Sequence, residues 1–203
     1  MLEYPADQPT LVTICGIDPG TECLGLSSIE FDVATRSIVK ISANTLVSSR
    51  SHHYSSRIEE LHGAQFARMQ AHYETLRLFF MRTEPIAVAC ESPFYFKLRP
   101  GAYGPLSETM QAIKRSLFDS QPNTPFFVYP PSTVKKAVSA GAHCGKDEMR
   151  VALLKHSLVV KYYDGDISLL DEHSLDAIAV AITFFNTQLI TECADVSPFL
   201  IRL

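Results

Sequence analysis

The stretch Leu11-Val12-Thr13-Ile14-Cys15-Gly16-Ile17-Asp18-Pro19-Gly20 decides the fold. Leu11 to Ile17 is a short apolar run rich in β-branched residues, which suits a buried strand better than a helix. It stops at an acid followed by Pro-Gly, a pair that turns the chain sharply. Working outward, Cys23 to Phe31 alternates loosely, and Ser37 to Val47 reads as a third strand after a turn near Ala34-Thr35. Residues 54–82 follow as one long helix, with Ile58, Leu61, Gln65, Met69, Tyr73, Leu76 and Phe80 recurring every three or four positions and Pro85 beyond its end. Ile86 to Cys90 is a second buried strand, and it too ends in an acid, Glu91. Residues 106–119 are helical, Phe126 to Tyr129 is a short strand punctuated by Pro130-Pro131, and helices are expected near 132–140, 146–161 and 172–191. A meander followed by alternating helices and short strands indicates an α/β fold with a mixed sheet.

The 203 residues suit a single domain over 1–203, with 1–9 and 192–203 as peripheral tails. The first ten residues are polar and lack the basic start and apolar core of a signal peptide. No apolar stretch approaches the roughly 18 residues of a membrane span. Cys15, Cys23, Cys90, Cys144 and Cys193 form an odd set without a CxxC pair, which argues against a zinc site and a disulfide framework. A reduced, cytoplasmic protein is expected. Net charge is −4 overall but uneven: −4 over residues 1–96, +6 over 97–161 and −6 over 162–203. A basic middle beside acidic flanks is what a nucleic-acid surface next to a metal site would show, although lysines that only solvate helices give the same pattern.

Three acids carry the chemistry. Asp18 and Glu91 end apolar strands, and Asp176 lies in the alanine-rich helical stretch His173-Ser174-Leu175-Asp176-Ala177-Ile178-Ala179. Each has an ordinary alternative: Asp18 as a turn starter, Glu91 as a polar strand end, Asp176 as part of a solvated helix start with Asp171 and Glu172. Converged, the three would bind a hard divalent cation well, and without one they would be costly to bury together. His173 lies three residues before Asp176 and so shares its helix face.

Gly16-Ile17-Asp18-Pro19-Gly20 followed by Gly25 closely resembles the opening strand of the RuvC-type Holliday-junction resolvases, which have an RNase H-like fold. The resemblance runs in order along nearly the whole chain. Glu91-Ser92-Pro93-Phe94 resembles the family's second acidic site and the aromatic after it. Val128-Tyr129-Pro130-Pro131-Ser132-Thr133-Val134-Lys135 resembles its next strand and basic helix, and Gly145-Lys146 its second lysine. His173 to Asp176 with Ala177, Ala179 and Ala181 resembles its C-terminal catalytic helix.

What the resemblance implies is a Mg²⁺-dependent endonuclease that resolves four-way junctions by paired symmetric nicks, with Mn²⁺ able to substitute. Asp18, Glu91, His173 and Asp176 would be the catalytic and metal-binding residues, with two Mg²⁺ per site. Some family members carry a carboxylate where this chain has His173; a neutral imidazole there suits a role at the attacking water or the second metal. Phe94, Lys97, Arg99, Lys135, Lys136 and Lys146 would contact DNA, Phe94 as the junction-probing aromatic. A symmetric homodimer suits a near-two-fold junction, with helix 106–119 (Leu106, Met110, Ile113, Leu117) and the start of the long helix as candidate interface. The compact, acidic chain suits a phage member. Two alternatives stay open: an RNase H-fold nuclease acting on other branched DNA or structured RNA, and a non-catalytic nucleic-acid binder. An actin-like ATPase does not fit, because 203 residues cannot supply two lobes.

Overall fold

The computed structural model describes residues 10–93, 101 and 103–190. Strands β1 (Leu11–Asp18), β2 (Cys23–Asp32) and β3 (Ser37–Val47) form the antiparallel meander. Strands β4 (Ala87–Glu91) and β5 (Phe126–Tyr129) add in parallel, giving the mixed order β3-β2-β1-β4-β5 with β1 at the centre. The helices are α1 (Ser56–His62), α2 (Ala64–Thr83), α3 (Tyr103–Ser120), α4 (Pro131–Ala137), α5 (Lys146–Lys155), α6 (Ser157–Tyr162) and α7 (Glu172–Phe184). Among the described residues no helix is long and apolar enough to cross a membrane.

Two cores sandwich the sheet. On one face Cys15, Ile17, Val88 and Cys90 pack against Leu76 and Phe80 of α2 and Met110, Ile113 and Leu117 of α3. On the other, Val12, Ile14, Ala87 and Ala89 meet a layer that includes Ile178 and Val180 of α7, Val134 of α4 and Leu153 of α5. Side chains alternate along a strand. Gly16 and Asp18 therefore fall on the α7 side of β1, and Glu91 falls on the same side of β4.

Helix α7 lies unusually close to β1 and β2. A Cβ on Gly16 would stand 2.6 Å from both Ala181 N and Ser27 Oγ, and one on Gly25 would overlap the backbone carbonyl of His173. Ser27 Oγ, buried in this seam, donates to Ala177 O at 2.7 Å. At the start of α7, Asp171 caps the helix by accepting from Ser174 N at 2.9 Å. Thr45 of β3 donates to Asp171 Oδ1 at 2.5 Å and shares a hydrogen bond of 2.9 Å with Ser174 Oγ.

The long helix expected over 54–82 is interrupted. Ser55 caps α1 by accepting from Ile58 N, and Gly63, at φ +88°, breaks the run before α2 begins. A φ of that sign is open to glycine and strained for other residues. The break shifts the buried face to Ala67, Ala71, His72, Leu76 and Phe80, leaving Leu61 exposed. The helix expected over 146–161 is divided at the extended residue His156, and α7 gives way after Phe184 to a π-helical turn, Phe185–Ile190. The α3 stripe of Met110, Ile113 and Leu117, a candidate interface from sequence, is core.

Gly25→Ala is expected to push α7 off the sheet. Overpacking costs about 1–3 kcal/mol, so the thermal midpoint should fall by several degrees at about 2–4 °C per kcal/mol for a chain of this size. An unchanged midpoint would contradict the close approach.

Candidate active site

Asp18 ends β1, and Pro19 and Gly20 lead the chain away. The turn is clamped from α2: His72 Nε2 lies 3.2 Å from Thr21 O, and Arg68 pairs with Glu22 at 3.1 Å while Ser49 donates to the same carboxylate at 2.6 Å. Burial holds the His72 pKa down, which keeps the ring neutral while it bonds Thr21. Glu91 stands one strand over, because Ile17 pairs with Cys90 in the parallel register. From above the sheet, α7 brings His173 and Asp176. His173 Nδ1 donates to Asp18 Oδ2 at 2.9 Å, with side-chain exposures of 32% and 15%, so the pair is largely withdrawn from water.

Glu91, Asp176 and His173 are each perturbed by their surroundings. Burial, reinforced by the charges of Asp18 and Asp176, pushes the Glu91 carboxyl up to about 8. Burial and the Asp18 charge push Asp176 up to about 7. His173 is raised too, chiefly by its bond to Asp18. Among the described residues no group of three or more His, Cys, Asp or Glu side chains is already arranged to hold a metal ion. The donor set still fits one: three hard carboxylates and an imidazole share a half-buried space in which two of the acids resist ionising without a counter-charge.

Two lysines flank the acids. Lys135 acts electrostatically on Glu91, and its ammonium donates to Cys144 O at 2.6 Å. Lys146 acts on Asp176, and its ammonium bridges both oxygens of Glu172 at 2.7 Å. Beside them, between α5 and α7, a cavity of about 180 Å³ is lined by Lys146, Arg150, Glu172 and Asp176 among others.

Known proteins resemble the chain at two levels. It is 28% identical over 174 residues to the crossover junction endodeoxyribonuclease RuvC of Myxococcus xanthus, covering 85% of this chain and 80% of that one. The Thermus thermophilus RuvC structure superposes with a TM-score of 0.61 at 21% identity, over 86% of this chain and 95% of that one. The fowlpox virus Holliday junction resolvase gives 0.56 at 14%, over 88% and 100%. The chain is a relative of the RuvC-type resolvases. No protein-family model matches it. The solved structures share its fold, the RNase H-like mixed sheet flanked by helices.

The RuvC-type assignments land unevenly on this framework. Asp18, Glu91, His173 and Asp176 are brought to one end of the sheet, with Lys135 and Lys146 at their rim. Lys136 is exposed on α4. Phe94, Lys97 and Arg99 lie outside the described residues. The basic middle divides between the two layers, since Lys114 and Arg115 sit on α3, across the sheet from the acids, over Phe126 and beside Asp119. Two site residues were missed from sequence. Glu172, assigned to a solvated helix start, holds Lys146 and lies 3.8 Å from His173 Nε2. Arg150 donates to Ser168 O at 2.6 Å and Leu170 O at 2.8 Å, fixing the loop before α7. Its partners are backbone carbonyls, which leave no sequence signal.

The raised acids set a pH dependence. A carboxyl whose folded pKa exceeds its unfolded value stabilises the fold fully below the unfolded value, and that stability is lost as pH rises through the folded one. Glu91 therefore costs the metal-free protein stability between about 4.5 and about 8, and Asp176 between about 3.8 and about 7. The raised His173 acts with the same sign. Metal-free protein is expected to melt several degrees lower at pH 8 than at pH 5, and Glu91→Gln to shrink that difference. A midpoint that rises over this interval would contradict the coupling.

Proposed function

We propose that this chain is a divalent-metal-dependent, structure-specific endodeoxyribonuclease that cuts four-way DNA junctions, acting as a homodimer. The observation that carries the reading is the meeting of Asp18, Glu91 and Asp176, with His173 bonded to Asp18, at one end of the central strands. It is supported by the relationship to the Myxococcus protein and by a shared fold with the Thermus RuvC, which has been seen in complex with a Holliday junction substrate.

Mg²⁺ is the proposed cofactor, two ions per site, with Mn²⁺ able to replace it. Asp18, Glu91 and Asp176 would hold the ions, with His173 beside them. When bound, such a pair neutralises the phosphate, activates a water and stabilises the leaving oxygen. Asp18, on the central strand and bonded to His173, would be the principal ligand. With Nδ1 committed to Asp18, His173 offers Nε2 to a water in the neutral state, where it can take a proton. Lys135 and Lys146 would hold phosphates on either side of the cut, with Lys136, Lys97 and Arg99 adding contacts and Phe94 probing the junction. Lys146 must leave Glu172 to do so, a small cost for a pair this exposed.

A second copy is proposed to cover the exposed apolar residues of α1, α2 and α3: Leu61 at 59%, Phe66 at 52% and Phe118 at 60% exposure. The whole chain is taken as one domain of this kind. The cytoplasm is the proposed location, where thiols stay reduced; Cys15, Cys23, Cys90 and Cys144 are all free, and burial raises the Cys15 pKa to about 12.

The test is cleavage of an end-labelled four-way DNA junction in Mg²⁺, beside linear duplex and structured RNA. Paired nicks in the junction are expected, with Asp18→Asn and Asp176→Asn each binding the junction while losing cleavage by on the order of a thousandfold or more, about 4 kcal/mol of transition-state stabilisation. Cleavage of RNA in preference, or binding without cleavage in either Mg²⁺ or Mn²⁺, would overturn the proposal.

A further inference from the structure

At the end of β3 the chain leaves the sheet through a 3-10 turn, Ser48–Arg50, and a cavity of about 340 Å³ opens between this turn and α2. Its polar lining includes Thr45, Ser48, Arg50, His52 and His72, and no carboxylate is among its lining residues. Arg50 is exposed, and its guanidinium makes no ion pair or hydrogen bond with the described residues. Arg57, Arg68, Arg77, Arg115 and Lys146, by contrast, are each paired with an acid. Ser48 is 1% exposed, and its hydroxyl is turned to Glu22, whose carboxyl it helps hold down. Ser51 and Thr75 hydroxyls meet at 3.1 Å, and His52 stacks on His53 with ring centroids 3.9 Å apart. Two acids lie beside the cavity and both are already held: Glu22 by Arg68 and Ser49, and Asp171 by Thr45 and Ser174. An unpaired guanidinium fork beside an exposed imidazole, in a cavity with no carboxylate in its lining, is a pattern that suits a tetrahedral anion.

The cavity's position gives that anion a source. Asp18 pairs with Gly25, and Gly25 pairs with Thr45, which lines the cavity. Two strand spacings place the Thr45 backbone roughly 10 Å from that of Asp18. Thr45 also bonds Asp171 and Ser174 at the start of α7, which ties the end of β3 to the helix that carries His173 and Asp176. Successive phosphates of a DNA strand lie farther apart in space than their rise of about 3.4 Å along the helix axis, so this interval corresponds to one or two nucleotides.

We propose that this cavity is a phosphate site that takes a backbone phosphate of the bound DNA one or two nucleotides from the one at Asp18, with Arg50 as its principal ligand and His52 as a further donor. This rests on the nucleic-acid reading above. The site would fix the strand on the β3 side of the acids, opposite the side held by Lys135.

The test uses full-length protein carrying Asp18→Asn, with junction binding followed by fluorescence anisotropy across a salt series. Arg50→Gln is expected to weaken binding severalfold and to reduce the slope of log affinity against log salt by about one, with His52→Asn weakening it less. In parallel, millimolar inorganic phosphate should raise the thermal midpoint of the parent protein and not that of Arg50→Gln. If the phosphate effect is lost in Arg50→Gln while junction affinity and slope are unchanged, the site takes a free anion and the DNA assignment is overturned. If neither arm responds to Arg50→Gln while Lys146→Gln does lower the slope, the site is refuted and the functional reading stands. If the parent does not bind junctions at all, the functional reading fails, and the phosphate arm alone decides whether an anion site exists.

Discussion

The close approach of α7 to β1 and β2 is the constraint on which the site depends. A sheet and a helix separated by ordinary side chains would leave His173 and Asp176 well above the acids of the strands. Gly16 and Gly25 remove that separation, and the room they leave is taken by the helix backbone itself. Ser27 then bonds Ala177 O, and Thr45 holds Asp171 and Ser174, so the approach is fixed along the seam and at the helix start. The alanines of α7 have a mechanical meaning in this setting, since they let the helix descend until its polar face reaches the strand ends.

That descent carries an electrostatic cost. Three carboxylates in one half-buried space cannot all ionise comfortably, and Glu91 and Asp176 respond by holding protons into the neutral range. His173 compensates part of the charge through its bond to Asp18. Lys135 and Lys146 compensate from the rim, but both are tethered, one to a carbonyl and one to Glu172. Such a site is stabilised by whatever positive charge it receives, so cation binding and folding are linked. The framework beneath it is neutral and rigid: buried thiols at Cys15 and Cys90, a neutral His72 pinning the turn after Asp18, and two apolar cores on either face.

Much of this was legible in the chain. The three β-strands of the meander and the β5 segment read off their apolar runs almost to the residue, and the two acids at strand ends stood out because a charge after a buried run needs a reason. The resemblance carried by Gly16 to Gly25 and by His173 to Asp176 supplied the fourth group. What escaped is equally physical. Gly63 sits inside an apolar repeat that looks unbroken, yet its positive φ divides the helix and moves the buried stripe to Ala67 and Ala71. The α3 stripe looked available for a partner because a helix face records that it is apolar, not what covers it; the sheet does. Glu172 and Arg150 gave no warning, since one bonds a lysine 26 residues away and the other bonds backbone carbonyls.

Diffraction from crystals grown with Mn²⁺, with anomalous maps to locate the ions, would test the central claim most directly. Ordered Mn²⁺ is expected among Asp18, Glu91 and Asp176, with His173 turned toward it and the peak lost in Asp18→Asn. Well-ordered crystals at millimolar Mn²⁺ with no peak among these side chains, or with a peak elsewhere only, would contradict it.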